Sequence, residues 1–138
     1  MKFQFFLFLL PFLTFSAFSQ ITFDRGATFY TDSSKTTLCN GKFRKFYPGY
    51  KIKMSTNYLN GKLEGESTEH FENGQVKILL HFKNGLLDGE AIEYYPETLL
   101  MKSKFVFSNG LKNGECFLYK ENGDVLERKV YTNDVLER

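Results

Sequence analysis

The two histidines, His70 and His81, are where general acid–base catalysis or zinc binding would have to begin in this chain. Zinc takes three or four protein ligands, and the sequence pattern brings neither a third histidine nor a cysteine to this pair. His70 shares a repeat position with Tyr94 and Tyr119, which reads as a packing residue with one hydrogen bond. His81 aligns with Val106 and Val130, and a two-residue turn at Asn73-Gly74 would set it opposite Glu66. The carboxylates are bound to the same periodicity. Glu66, Glu90 and Glu115 form one column, with Glu64 and Asp88 beside the first two. Calcium wants six to eight converging oxygens, and the nonapeptide that supplies them in β-solenoids is absent, so these acids are expected to solvate a loop face. Ser33, Ser34, Thr36 and Thr37 lie in a polar stretch without a Gly-x-Ser-x-Gly elbow. Phosphate-cradling glycine motifs are missing as well. The expectation is a non-enzyme with no catalytic residue, no cofactor and no metal.

Cys39 and Cys116 are the only thiols. The repeat register sets them about seven strands apart, roughly 30 Å, whereas a disulfide needs Cα atoms within about 7 Å. Neither sits in a Cys-x-x-Cys pair that would lower its pKa. Both are expected to be unpaired and mostly buried.

The elements that would position these residues are set by turns. Asn-Gly recurs at Asn60-Gly61, Asn84-Gly85 and Asn109-Gly110, with Asn133-Asp134 at the next place, a spacing of about 24 residues. In the first three copies a second glycine follows, at Gly65, Gly89 and Gly114, and a glutamate opens the next segment. Midway lies another turn signal: Asn73-Gly74, Asn122-Gly123, or in their stead Pro48-Gly49 and Pro96-Glu97-Thr98. Asn-Gly between apolar runs marks a type I′ hairpin, because both central residues need positive φ. Each unit therefore reads as a two-stranded hairpin joined to the next by an Asn-Gly-x-x-x-Gly loop. Predicted strands are 66–71, 76–82, 90–95, 100–107, 115–120 and 125–131.

Two columns support this reading. Tyr58, Phe82, Phe107 and Tyr131 precede the loop asparagines by two residues, and Ile52, Val76, Met101 and Val125 form an aliphatic set. A lone hairpin cannot bury its apolar face, so each must lean on its neighbour. The pattern aromatic-x-Asn-Gly-x-x-x-Gly-Glu, followed by a Tyr- or Phe-bearing strand and Asn-Gly, resembles the MORN repeat family, specifically its bacterial variant. The resemblance covers 40–133 in about four repeats, of which the first is incomplete and the third has Pro96-Glu97-Thr98 in place of Asn-Gly. It implies an all-β, elongated single-layer antiparallel sheet of stacked hairpins that serves as an interaction or lipid-associated surface. Members of this variant class are also similar to proteins labelled antitoxins.

Composition agrees with a β-protein. The chain of 138 residues fits one domain and carries 16 Phe, 8 Tyr, 11 Gly and 3 Pro. A formal charge of +2 offers no nucleic-acid footprint. Residues 1–19 have one lysine, an apolar run from Phe3 to Phe15 and then Ala17-Phe18-Ser19, the layout of a signal peptide cleaved after Ser19. An uncleaved anchor is the alternative, although the run falls short of the ~20 residues a span needs. Residues 20–39 then read as an N-terminal cap and 134–138, where Asp124–Arg128 is repeated as Asp134–Arg138, as a tail or the start of one more strand. The functional expectation is an exported, periplasmic or extracellular scaffold that binds a protein partner. The alternatives are a peripheral lipid-associating module, with Lys77, Lys102 and Lys104 interspersed, and an antitoxin or immunity-type protein. The surface proposed for binding is Tyr94, Tyr95, Phe117 and Tyr119.

Overall fold

The structure, a computed structural model, describes residues 38–137. The stretch read as a signal peptide, the expected cap up to residue 37 and the Ser/Thr stretch at 33–37 lie outside the described residues, as does Arg138. Eleven strands follow in chain order: β1 Gly41–Phe46, β2 Ile52–Leu59, β3 Lys62–Leu63, β4 Gly65–His70, β5 Val76–Lys83, β6 Leu86–Tyr94, β7 Met101–Ser108, β8 Leu111–Lys112, β9 Gly114–Tyr119, β10 Val125–Thr132 and β11 Val135–Leu136. They build one open antiparallel sheet in the order β1-β2-β4-β5-β6-β7-β9-β10-β11, with β3 on β2 and β8 on β7. Among the described residues no helix is long and apolar enough to cross a membrane.

The type I′ turns fall at the other end of each unit from where the sequence places them. Both residues have positive φ at Asn60-Gly61 (50°, 74°), Asn84-Gly85 (52°, 83°), Asn109-Gly110 (50°, 79°) and Asn133-Asp134 (51°, 67°). Each closes a tight hairpin, as the pairs Leu59↔Lys62 and Lys83↔Leu86 show. The segment read as a connecting loop therefore begins with ladder residues. At Asn73-Gly74 and Asn122-Gly123 only the glycines have positive φ, 90° in each. The Gly74 N–H donates to the Phe71 carbonyl at 2.9 Å and the Phe71 N–H to the Gln75 carbonyl at 2.8 Å, which makes a three-residue loop ending in a left-handed glycine. The Asn73 side chain accepts the Gln75 N–H at 3.0 Å, a bond asparagine makes to the backbone two residues on. Such a bond keeps Asn73 out of the type I′ geometry.

The extra residue of each three-residue loop is removed one step into the hairpin. Glu69 pairs with Ile78 and His70 with Val76, so Lys77 is left as a bulge, and beyond it Glu66 faces His81. Lys53, Lys102 and Leu126 are the equivalent bulge residues of the other units. Units thus enter and leave in the same register, with the same face inward.

That face carries the core. Ile78, Leu80, Phe82, Leu87, Ala91, Phe105, Phe107 and Cys116 are buried together, with Leu63, Leu118 and Tyr131 packed against them. Ala91 pairs with Leu80 on one side and Phe105 on the other and has no exposed surface at all. The aromatic column is inward throughout: Phe82 and Phe107 are buried, Tyr58 and Tyr131 half-buried. Gly89 is imposed by a close approach. Its φ is 114°, and a Cβ there would sit 3.1 Å from the Cβ of His81. Cys39 and Cys116 are free thiols, half-buried and buried respectively. Six strand-to-strand steps separate β1 from β9, roughly 29 Å along the sheet.

Candidate interaction surface

Of the four residues proposed for binding, Phe117 pairs with Lys104, which pairs with Ile92, itself opposite Leu79. These residues project from the sheet face away from the core. Tyr119 follows two residues after Phe117, and their rings stack at 5.9 Å with planes 22° apart. Tyr94 ends β6 on the same side as Ile92 and pairs with Met101 across a hairpin. All three rings are half-exposed. Tyr95 differs, because its hydroxyl donates to the Tyr119 carbonyl at 2.9 Å and thereby ties unit to unit. Tyr47 does the same to the His70 carbonyl at 2.8 Å. Phe71 holds the equivalent place between them, with no hydroxyl to donate.

The histidines are brought to adjacent strands and given separate duties. His81 Nδ1–H donates to the Glu90 carbonyl at 3.0 Å. His70 Nδ1 is buried without the hydrogen bond the sequence suggests for it. Thr56 Oγ1 and Ser103 Oγ are also buried and unpartnered, but they stand on β2 and β7 and do not converge with His70. Among the described residues no three His, Cys, Asp or Glu side chains gather as a metal site.

The acids beside the glycine turns are structural acceptors. Glu64 Oε2 takes the Asn84 N–H at 2.7 Å, Asp88 Oδ2 the Asn109 N–H at 3.1 Å, and Asn40 Oδ1 the Asn60 N–H at 2.7 Å. The next backbone donor in each turn goes to the same neighbour: Gly85 N–H to the Leu63 carbonyl and Gly110 N–H to the Leu87 carbonyl. Each type I′ turn, whose N–H groups point out of its own hairpin, is therefore held by the preceding unit. Of the five acids expected to solvate a loop face, Glu64 and Asp88 instead fasten the repeats, while Glu90 and Glu115 pair with Lys104 and Arg128.

The three interspersed lysines are all held by carboxylates. Lys77 meets Glu69 at 3.0 Å, Lys102 meets the buried Glu93 at 2.8 Å, and Lys104 pairs with Glu90. Glu90 and the desolvation it offsets leave the Lys104 ammonium above its ordinary pKa. The first hairpin is different. Lys42, Arg44, Lys45, Lys51, Lys53 and Lys62 fall within 38–63, and no Asp or Glu does. A net charge of +2 conceals that cluster, because acids elsewhere cancel it; only a running charge count along the chain finds it.

Hairpins that repeat in one open sheet, each fastened to the next through its turns, define a repeat protein with an extended surface. Residues 63–84 match the family model of the MORN repeat variant, which supports reading the repeated hairpins as MORN-type repeats. The match runs from the end of β3 through β4, the Asn73-Gly74 loop and β5 to the turn asparagine Asn84, most of one period. Searches of curated proteins and of solved structures each found no match. The family is generally non-catalytic, and its repeats suggest modules that bind proteins or membranes.

Proposed function

We propose that this protein is a non-catalytic, exported binding module that presents its repeat face to a protein partner in the cell envelope. The observation that carries this reading is the half-exposed run of Tyr94, Phe117 and Tyr119 on the face opposite the core. Rings left in contact with water beside one another favour a partner that covers them, and aromatic side chains are enriched in such contacts. Export rests on the apolar run from Phe3 to Phe15 followed by Ala17-Phe18-Ser19. Lipid association is the weaker reading, since Lys77, Lys102 and Lys104 are already paired with carboxylates and so offer an anionic surface little. An immunity role would be one form of the same activity, with an exported toxin as partner. The test is to tag the full chain at its C-terminus in its own host and recover it from envelope extracts with bound proteins identified by mass spectrometry. A near-stoichiometric partner, lost when Phe117 and Tyr119 are changed to Ser, is the expected result. Background alone overturns the protein-binding reading.

A further inference from the structure

The three later units show what belongs opposite the bulge residue. Lys77 finds Glu69, Lys102 finds Glu93, and Leu126 sits beside Leu118, so each position is matched in charge or in apolarity. In the first unit the bulge residue is Lys53 and the residue in the glutamate position is Lys45. Two like charges thus occupy a place built for an ion pair. Lys45 is half-buried and Lys53 exposed, the latter also lying 5.4 Å from the centre of the Tyr47 ring. Burial, then Lys53, pull the Lys45 ammonium below its ordinary pKa. Among the described residues no carboxylate is paired with either lysine, and the whole stretch 38–63 is free of acids.

We infer that the Lys45–Lys53 pair receives a carboxylate from the partner, an aspartate or glutamate of an acidic segment that completes in trans the ion pair the next two units make internally. The position of the Glu69 and Glu93 carboxylates relative to Lys77 and Lys102 gives the expected place of the incoming group. Arg44 and Lys42 on β1 and Lys51 at the turn extend the positive field along which further acids of the segment would lie. A protein carboxylate is favoured over a membrane because the cations are distributed on both faces of this hairpin and at its tip, as an extended chain can follow and a flat surface cannot. This assignment rests on the protein-binding reading and adds the chemistry of the partner.

The test measures binding of a hexaglutamate peptide to the full chain, against a hexaglutamine peptide and phosphatidylserine vesicles, at low and high salt. Wild type should bind hexaglutamate alone, and more weakly as salt rises. Lys45→Glu should weaken that binding by about tenfold or more, since it supplies the carboxylate from within. It should also raise Tm by about 1–4 °C, because it converts a like-charge contact into the pair found in the next unit. Lys45→Gln, which removes the charge without adding an acid, should weaken binding and leave Tm nearly unchanged. Equal affinity of wild type and Lys45→Glu for the peptide, or a preference for the vesicles, overturns the assignment. If the captured envelope partner is retained by Lys45→Glu as well as by wild type, the binding-module reading stands and this site does not.

Discussion

At the level of single residues the two cysteines separate by environment. Cys116 is 3% exposed, and burial raises its thiol pKa, so it stays protonated and shielded at neutral pH. Cys39 is half-exposed before β1. Brief iodoacetamide treatment of the native protein should therefore label Cys39 and leave Cys116 unmodified, with both labelled in denaturant, as intact mass reads directly. Tyr95 offers a second check. Its hydroxyl makes one hydrogen bond to the Tyr119 carbonyl, so Tyr95→Phe should lower stability by about 0.5–1.5 kcal/mol in urea unfolding. Phe71 already occupies that position in the preceding unit, which bounds the effect to a local one. The aromatics themselves were legible as a set from spacing alone. That Tyr95 would face inward through its hydroxyl was not, because the contact reaches across 24 residues to a backbone carbonyl that no side-chain pattern records.

Among the elements, the turns decide most. The sequence marks every turn correctly as a turn, and strands β4, β5, β7, β9 and β10 begin and end within a residue of expectation, because Asn-Gly and alternating apolar residues are strong local signals. It errs on turn type. Asn-Gly serves in both kinds, and the difference lies in whether asparagine takes positive φ, as at Asn60, or bonds its own backbone two residues on, as at Asn73. The two-residue strands β3 and β8 went unread for the same reason, being hidden inside what looked like loop. β6 runs through Gly89 without a break, and there the backbone passes against His81. Gly89→Ala combines a φ of 114° with a Cβ contact of 3.1 Å and should destabilise by about 1–3 kcal/mol. Gly114→Ala has nearly the same φ, 116°, but its nearest neighbour, the Val106 Cβ, lies at an ordinary 3.5 Å, so the difference between the two melts isolates the contact.

Across the whole molecule, burial is concentrated in the middle of the row. Seven of the eight residues of the buried cluster lie on β5, β6 and β7, in the middle of the row, whereas β1 and β10 are largely exposed. In a one-dimensional stack each unit draws on its neighbours, so end units have the least to hold them. Native-state hydrogen exchange should accordingly show the strongest amide protection in β5–β7 and the weakest in β1 and the outer half of β10. Uniform protection along the row would mean the units unfold together and would contradict the stacking picture. The basic first hairpin lies at the less protected end, which leaves it the freedom to adjust to an incoming acidic segment.

Because Lys53, Lys77 and Leu126 each cancel the odd residue of the three-residue loop beside them, these units pass no frame error to the next. The architecture behaves like a ruler ruled in whole divisions: units can be gained or lost as complete periods, and the span of the surface changes while inside and outside stay where they were.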